Sequence, residues 1–259
     1  MARSVSAASR ARFAEVVRTS PDDVALACLL MAVEADPEVD IAAAQATLAA
    51  LADAVPDGPS PAWRLRQVLG QMRGTPADYR DLRSSLLPDV VQRGRGLPIM
   101  LSVVWMDVAR RIGIHSVGLG LPGHFVVAVG TDASDVIAPD APHIEIVDPF
   151  AGGAAFSLDT DERPMAPVQI LHRILRNITA WADRPERTST ALWACELGLL
   201  LPRHPSELRR THGELLVRSG RFLDGATAFD DFAETIETID AAGAEKARVS
   251  ARLARARRN

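Results

Sequence analysis

The sequence predicts an α+β core set between two helical zones, and three observations predict it. Apolar residues recur with a helical period from about Ser9 to Met72, and again from Val168 onward. Between these zones Pro98 opens an almost wholly apolar segment, Ile99 to Met106, which runs on through Val108, Ala109 and Ile112 to Gly113. Three short strand-like runs come next. A buried helix feeding short antiparallel strands is the pattern of an α+β domain.

The first zone starts with Phe13, Val16 and Val17, and Pro21-Asp22-Asp23 opens a second helix over residues 24–34. Asp40 is placed to cap a third over 41–54, which Val55-Pro-Asp-Gly-Pro59 ends. Trp63, Leu65, Val68, Leu69 and Met72 form the stripe of a fourth. Short helices joined by loops of this length predict an orthogonal or bundle-like lobe.

In the middle zone proline suits the first helical position, where its missing N–H has no partner to lose, and Gly113 suits the exit. A helix apolar on nearly all sides is a buried one. The strands are expected at 116–121, 124–129 and 144–147, separated by Pro122-Gly123 and a polar loop over 130–142.

The last zone predicts helices at 168–181, 192–201, 207–219 and 223–239. The pair 208–218 and 226–236 resembles a tetratricopeptide hairpin, with Gly213 and Ala226 allowing close approach. These zones divide the chain into 1–75, 76–165 and 166–259.

The formal net charge of −4 and a pI near 5.9 give no reason to expect nucleic acid. Lys246, the only lysine, begins a basic run through Arg248, Arg252, Arg255, Arg257 and Arg258. That run reads as a solvated helix end or as a contact for an anionic partner. The longest apolar runs, 25–33 and 99–106, fall short of the roughly 20 residues a spanning helix needs. No apolar stretch of export-signal type precedes Arg10. A cytoplasmic protein with no membrane partner is expected. Cys28 and Cys195 lie in helical patterns without ligand spacing, and read as buried thiols.

His124 and Asp148 carry the candidate chemistry. His124 opens an apolar strand directly after a turn, and Asp148 ends the next strand. If those strands are neighbours the side chains meet, and a carboxylate that fixes an imidazole tautomer is half of a nucleophile–base–orienter triad. A structural His–Asp pair is the competing reading. His115 and His143 border the strands, and His172, His204 and His212 are placed on helices without a diagnostic acid. No further ligands accompany His124, so neither metal nor cofactor is expected. Gly152-Gly153 reads as a turn, not a phosphate loop. Trp63 and Trp105 read as core or lobe anchors.

Several segments together resemble the transglutaminase-like proteins of the SirB type. They are Arg93-Gly-Arg-Gly-Leu-Pro-Ile-Met-Leu-Ser102, Val108-Ala-Arg-Arg-Ile-Gly113, Leu121-Pro-Gly-His-Phe125 and Val147-Asp-Pro-Phe-Ala-Gly-Gly153. The lead-in Asp78-Tyr-Arg-Asp-Leu-Arg-Ser-Ser85 is similar to that family's, with Ser84-Ser85 where the family usually reads Asn-Ser. Ile174-Leu-Arg-Asn-Ile178 and Arg209-Arg-Thr-His-Gly213 extend the likeness into the helical tail, to about residue 240.

The resemblance implies a papain-like, transglutaminase-like core in which His124 is the general base and Asp148 its orienter. It also implies a Gly-x-Cys tripeptide at the start of the core helix. Here that tripeptide falls on Gly96-Leu97-Pro98, counted back from the shared Arg-x-x-Gly helix end. Pro98 offers no thiol and no N–H. Gly96, Pro98, Ser102, Arg95 and Phe125 are the expected lining of the pocket. Ser102, one turn after Pro98, is the nearest hydroxyl, read as packed or bonded to its own backbone unless it serves as nucleophile. Arg93 and Arg95 read either as a pocket mouth that attracts an anion or as solvated surface. Two functions follow as expectations. One is a diverged protein that binds an unknown protein or peptide partner; the other is an acyl or amide enzyme that uses the His–Asp pair without covalent cysteine catalysis.

Overall fold

A computed structural model describes residues 2–132, 144–158 and 162–257, and the first part of the chain is organised around the apolar helix that Pro98 begins. The chain opens with α1 (Ala2–Thr19), α2 (Val24–Ala32), α3 (Ile41–Asp53) and α4 (Pro61–Leu69). Their starts follow from local side chains. Asp23 accepts from the Leu26 N–H at 3.1 Å, Asp40 from that of Ala43 at 2.9 Å, and Ser60 from that of Trp63 at 3.2 Å. Trp63 is only partly covered and packs over Gly58. Two 3₁₀ turns, Pro76–Arg80 and Leu82–Ser85, and a short helix α5 (Leu87–Arg93) then lead to the core. Pieces this short complete no apolar period, and the sequence pattern does not reveal them.

Helix α6 (Pro98–Arg111) carries proline at its first position. It ends before Gly113, whose φ of +73° lies in the left-handed region that glycine enters without a Cβ penalty. Its side chains from Pro98 to Trp105 are buried, as are Asp107, Val108 and Ala109. The buried Asp107 is matched by Arg110 and Arg111 in the last turn, at 2.6 Å each.

The sheet comprises β1 (His115–Leu121), β2 (His124–Gly130), β3 (Glu145–Asp148) and a two-residue β4 (Ala154–Ala155), in that order and antiparallel throughout. β4 is too short to show as a pattern. Side chains alternate across the sheet: Leu119, Val126 and Ala128 cluster on one face with Ile146 and Phe156. That cluster contains no α6 residue, although α6 packs against β1 and β2.

Five helices complete the chain: α7 (Pro167–Trp181), α8 (Thr188–Leu200), α9 (Glu207–Arg218), α10 (Phe222–Ile236) and α11 (Ala241–Ala256). The chain divides into two compact units, Met1–Ile174 and Leu175–Asn259, with the boundary inside α7. In the second unit each of α8 to α11 packs on the next. A Cβ on Gly213 would press into the Phe229 ring, and one on Gly225 would meet the Gly213 carbonyl, so these glycines let α9 and α10 approach closely. His204 is not helical: it lies in the α8–α9 turn just before Pro205, with Nδ1 3.1 Å from the Leu201 carbonyl. His143 lies outside the described residues.

Candidate functional site

The sheet register brings His124 and Asp148 together. Val127 stands opposite Val147, so one step along Val126 stands opposite Asp148, and His124 is its diagonal neighbour on the same face. His124 Nε2–H donates to Asp148 Oδ2 at 3.0 Å. Asp148 Oδ1 accepts from the Phe150 N–H at 2.9 Å, capping the turn Pro149–Ala151. Each carboxylate oxygen is thus committed, and the carboxylate fixes the proton of the neutral imidazole on Nε2. Nδ1 has no hydrogen-bond partner among the described residues. The His124 and Asp148 side chains are 24% and 14% exposed, so a reactant can reach the ring.

Aromatic rings and one arginine set the position of the imidazole. Phe150 meets it edge-on at 6.0 Å between centroids, and Phe156 lies tilted at 6.0 Å. Tyr79 packs edge-on against Phe150 at 6.1 Å, and its hydroxyl donates to the Gly123 carbonyl at 3.5 Å. Partial burial raises the Tyr79 phenol above its ordinary pKa, and the nearby Asp148 charge adds to the rise. From α7, Arg173 Nη2 donates to the Leu121 and His124 carbonyls, both at 2.6 Å, and so clamps the Pro122-Gly123 turn. Tyr79, Arg173 and Phe156 escape sequence reasoning because each comes from an element remote in sequence from His124.

Behind this face is a saturated polar hub. Asp78 is fully buried and accepts from the Thr75 N–H and hydroxyl at 2.8 Å, the Ser84 hydroxyl at 2.7 Å and Arg95 Nε at 3.0 Å. Burial pushes the carboxyl pKa up, but the hydrogen bonds from Arg95, Ser84 and Thr75 outweigh it and hold the group at about 2. Arg93 reaches Asp81 at 3.2 Å and Asp78 at 3.8 Å. Both arginines flanking Gly94 therefore bind carboxylates of the lead-in segment. The pattern Thr75-x-x-Asp78, a capping box that the structure confirms, is the signal that could have found the hub.

The tripeptide Gly96-Leu97-Pro98 is held from this side. The Leu97 N–H donates to the Ser84 carbonyl at 2.9 Å, and Gly96 packs against Val90 where a Cβ would not fit. A Cβ on Gly74 would strike the Phe150 ring and the Gly96 carbonyl, so Phe150 reaches towards the segment that precedes Pro98. Pro98 itself is buried. Ser102 is 0% exposed, and its hydroxyl has no hydrogen-bond partner among the described residues, neither His124 nor its own backbone. Phe125 is buried, with Arg173 stacked 5.6 Å from its ring centroid. The dyad is therefore assembled, while Ser102 is not joined to it.

Neither cysteine is an activated thiol. Cys28 and Cys195 are both buried; burial raises the Cys28 thiol well above its ordinary pKa and pushes Cys195 up to about 12, with Asp23 and Glu196 adding to the respective shifts. Among the described residues no group of three or more His, Cys, Asp or Glu side chains is placed to hold a metal ion. No described helix is long and apolar enough to cross a membrane.

A 158-residue stretch is 32% identical to the UPF0162 protein of Xylella fastidiosa strain Temecula1, covering 52% of this chain and 53% of the relative. The UPF0162 protein of Pseudomonas aeruginosa is 33% identical over 113 residues, 37% of this chain and 38% of that protein. The chain thus spans about half the length of the first curated relatives it matches. No solved structure matches it. Residues 39–176, from the start of α3 to the middle of α7 and including every residue of the His124–Asp148 site, match the profile of the transglutaminase-like superfamily, and the chain belongs to that superfamily.

Proposed function

We propose that this chain is a catalytically diverged transglutaminase-like protein of the SirB type, without covalent cysteine chemistry, that works by binding a protein or peptide partner. The observation that carries the reading is the start of α6, where the buried Pro98 supplies neither a nucleophile nor an N–H for a developing oxyanion. Both thiols are buried and held protonated elsewhere. The partner side rests on the helical share and on the tetratricopeptide-like hairpin of α9 and α10, a surface type used for peptides. Two buried free thiols fit a reducing compartment, and we place the protein in the cytoplasm.

The test pairs an activity assay with partner capture. Incorporation of a fluorescent amine into a glutamine-bearing protein stays at the blank level, and His124→Ala retains whatever partner the wild type retains. Changes on the exposed helical surfaces remove that partner. Incorporation that disappears in Cys28→Ser or Cys195→Ser contradicts the reading.

One observation favours a second reading. His124 keeps an open Nδ1 on a partly exposed ring, the arrangement of a general base acting on water or a substrate amine. Such a base is typically worth about 10²–10⁴-fold, so the activity is modest. An amide hydrolysis lost in His124→Ala with folding unchanged selects this reading.

A further inference from the structure

A second site lies in the first compact unit, towards the end of α6 remote from Pro98. A cleft of about 400 Å³ opens between the start of α2, the last turns of α6, the first residues of β1 and the start of α7. Ala25, Val103, Met106 and Ile170 form an apolar floor, and Asp22, Asp107, Arg110 and His115 supply its polar lining. This volume is within the range of ligand sites, roughly 300–1,000 Å³. None of the residues of the His124–Asp148 site lines it.

The cleft exposes part of a sheet edge. β1 is the outermost strand, and its backbone groups alternate between facing β2 and facing outward. The Met165 N–H donates to the Gly118 carbonyl at 2.9 Å, and Leu119 bridges Pro164 in antiparallel sense. Gly118 therefore faces outward, and so does Ser116 two residues earlier. The chain's own segment at 164–165 covers the edge as far as Gly118, then leaves it where α7 begins at Pro167. Ser116 is left with an outward N–H and C=O that have no partner among the described residues. Both Ser116 and Gly118 line the cleft. An edge that already pairs with one extended segment, and is vacated beside an apolar recess, is the arrangement that accepts an added strand.

The rim specifies the charge of that strand. Arg110 is shared between Asp107 at 2.6 Å and Asp23 at 3.7 Å, so its charge is already met. Asp22 is exposed on the rim; it feels Arg110 at longer range but makes no direct ion pair among the described residues. A carboxylate beside an apolar recess is complementary to an apolar side chain followed by a basic one.

We propose that this cleft binds an extended peptide that pairs its backbone with Ser116, seats an apolar side chain over Met106 and Ile170, and places a basic residue at Asp22. The proposal deepens the partner-binding reading by naming a surface and an occupant. It is separable from that reading's catalytic half, because thiol reactivity, if found, leaves the cleft untouched.

The test uses the full chain and a phage-displayed library of random dodecapeptides, with enriched sequences resynthesised and titrated. The selection is expected to enrich an apolar–basic pair, and N-methylation at one backbone position is expected to abolish binding. Ser116→Pro removes the outward N–H without touching the β1–β2 ladder, and is expected to weaken binding about tenfold or more, whereas Ser116→Ala leaves it unchanged. Met106→Trp, which fills the recess, is expected to do the same and keeps the test informative if the proline variant fails to fold. Asp22→Asn is expected to weaken binding by a few-fold and to reduce its salt dependence. The proposal is overturned by a selection that enriches nothing, or by enriched peptides whose affinity is indifferent to both Ser116→Pro and Met106→Trp.

Discussion

Asp78 and Asp148 are two carboxylates of the first compact unit, and they are used in opposite ways. Asp78 is fully buried, and its two oxygens are saturated by Thr75, Ser84 and Arg95. Asp148 is partly exposed and has two partners, the Phe150 N–H and a His124 ring whose other nitrogen is open. A saturated buried carboxylate holds backbone segments in place and has nothing left to offer a reactant. A carboxylate that hands its second oxygen to an imidazole keeps one nitrogen poised. The difference separates the scaffold of this fold from its candidate site.

The largest expected effect falls on the scaffold side. Asp78→Ala strands the buried Ser84 hydroxyl and the Thr75 donors, while the exposed Arg95 can turn to water, and costs about 2–4 kcal/mol, read by urea unfolding. Next is pH. Folding lowers the Asp78 carboxyl from 3.8 to about 2, so the folded state favours the ionised form. That stabilisation is complete above about pH 4, is lost as pH falls towards 2, and amounts to about 2 kcal/mol. Asp78→Asn flattens the acid limb of the stability profile in that window, and an unchanged acid limb contradicts the assignment.

Smaller effects belong to the candidate site. Gly153→Ala, at a φ of +77° with its Cβ directed into the Trp105 indole, costs about 1–3 kcal/mol and shifts the Asp148 turn. His124→Ala removes a partly exposed pair and changes stability by about 1 kcal/mol or less, read in the same urea titration. A loss as large as that of Asp78→Ala would make the dyad part of the scaffold. Ser102→Ala is smallest: the hydroxyl has no partner to lose, so stability changes by about 0.5 kcal/mol or less, or rises.

What was legible in the sequence follows the same division. α6 could be read because proline, a continuous apolar run and a terminal glycine all mark one helix, and the hairpin because Pro122-Gly123 separates two strand-like runs. His124 and Asp148 could be placed because they sit at strand ends next to turns. The hub leaves only the capping-box spacing Thr75-x-x-Asp78 in the sequence, and its link from Asp78 to Arg95 crosses seventeen residues through 3₁₀ turns too short for any periodicity. Tyr79 and Arg173 likewise reach the hairpin from elements far away in sequence. Ser102 shows the limit in the other direction. Helical spacing puts it one turn from Pro98, but the strand period assigns His124 to the Val126–Ala128 face, whose cluster contains no α6 residue.

The proposal that this transglutaminase-like core performs no cysteine chemistry is open to a direct test by native-state alkylation. The folded protein is treated with iodoacetamide near neutral pH and its two cysteines are followed by mass spectrometry. Cys28 and Cys195 are expected to stay unmodified until denaturant exposes them, because both are buried and held protonated. Rapid, stoichiometric labelling of either thiol in the folded state, slowed in His124→Ala, would contradict the proposal.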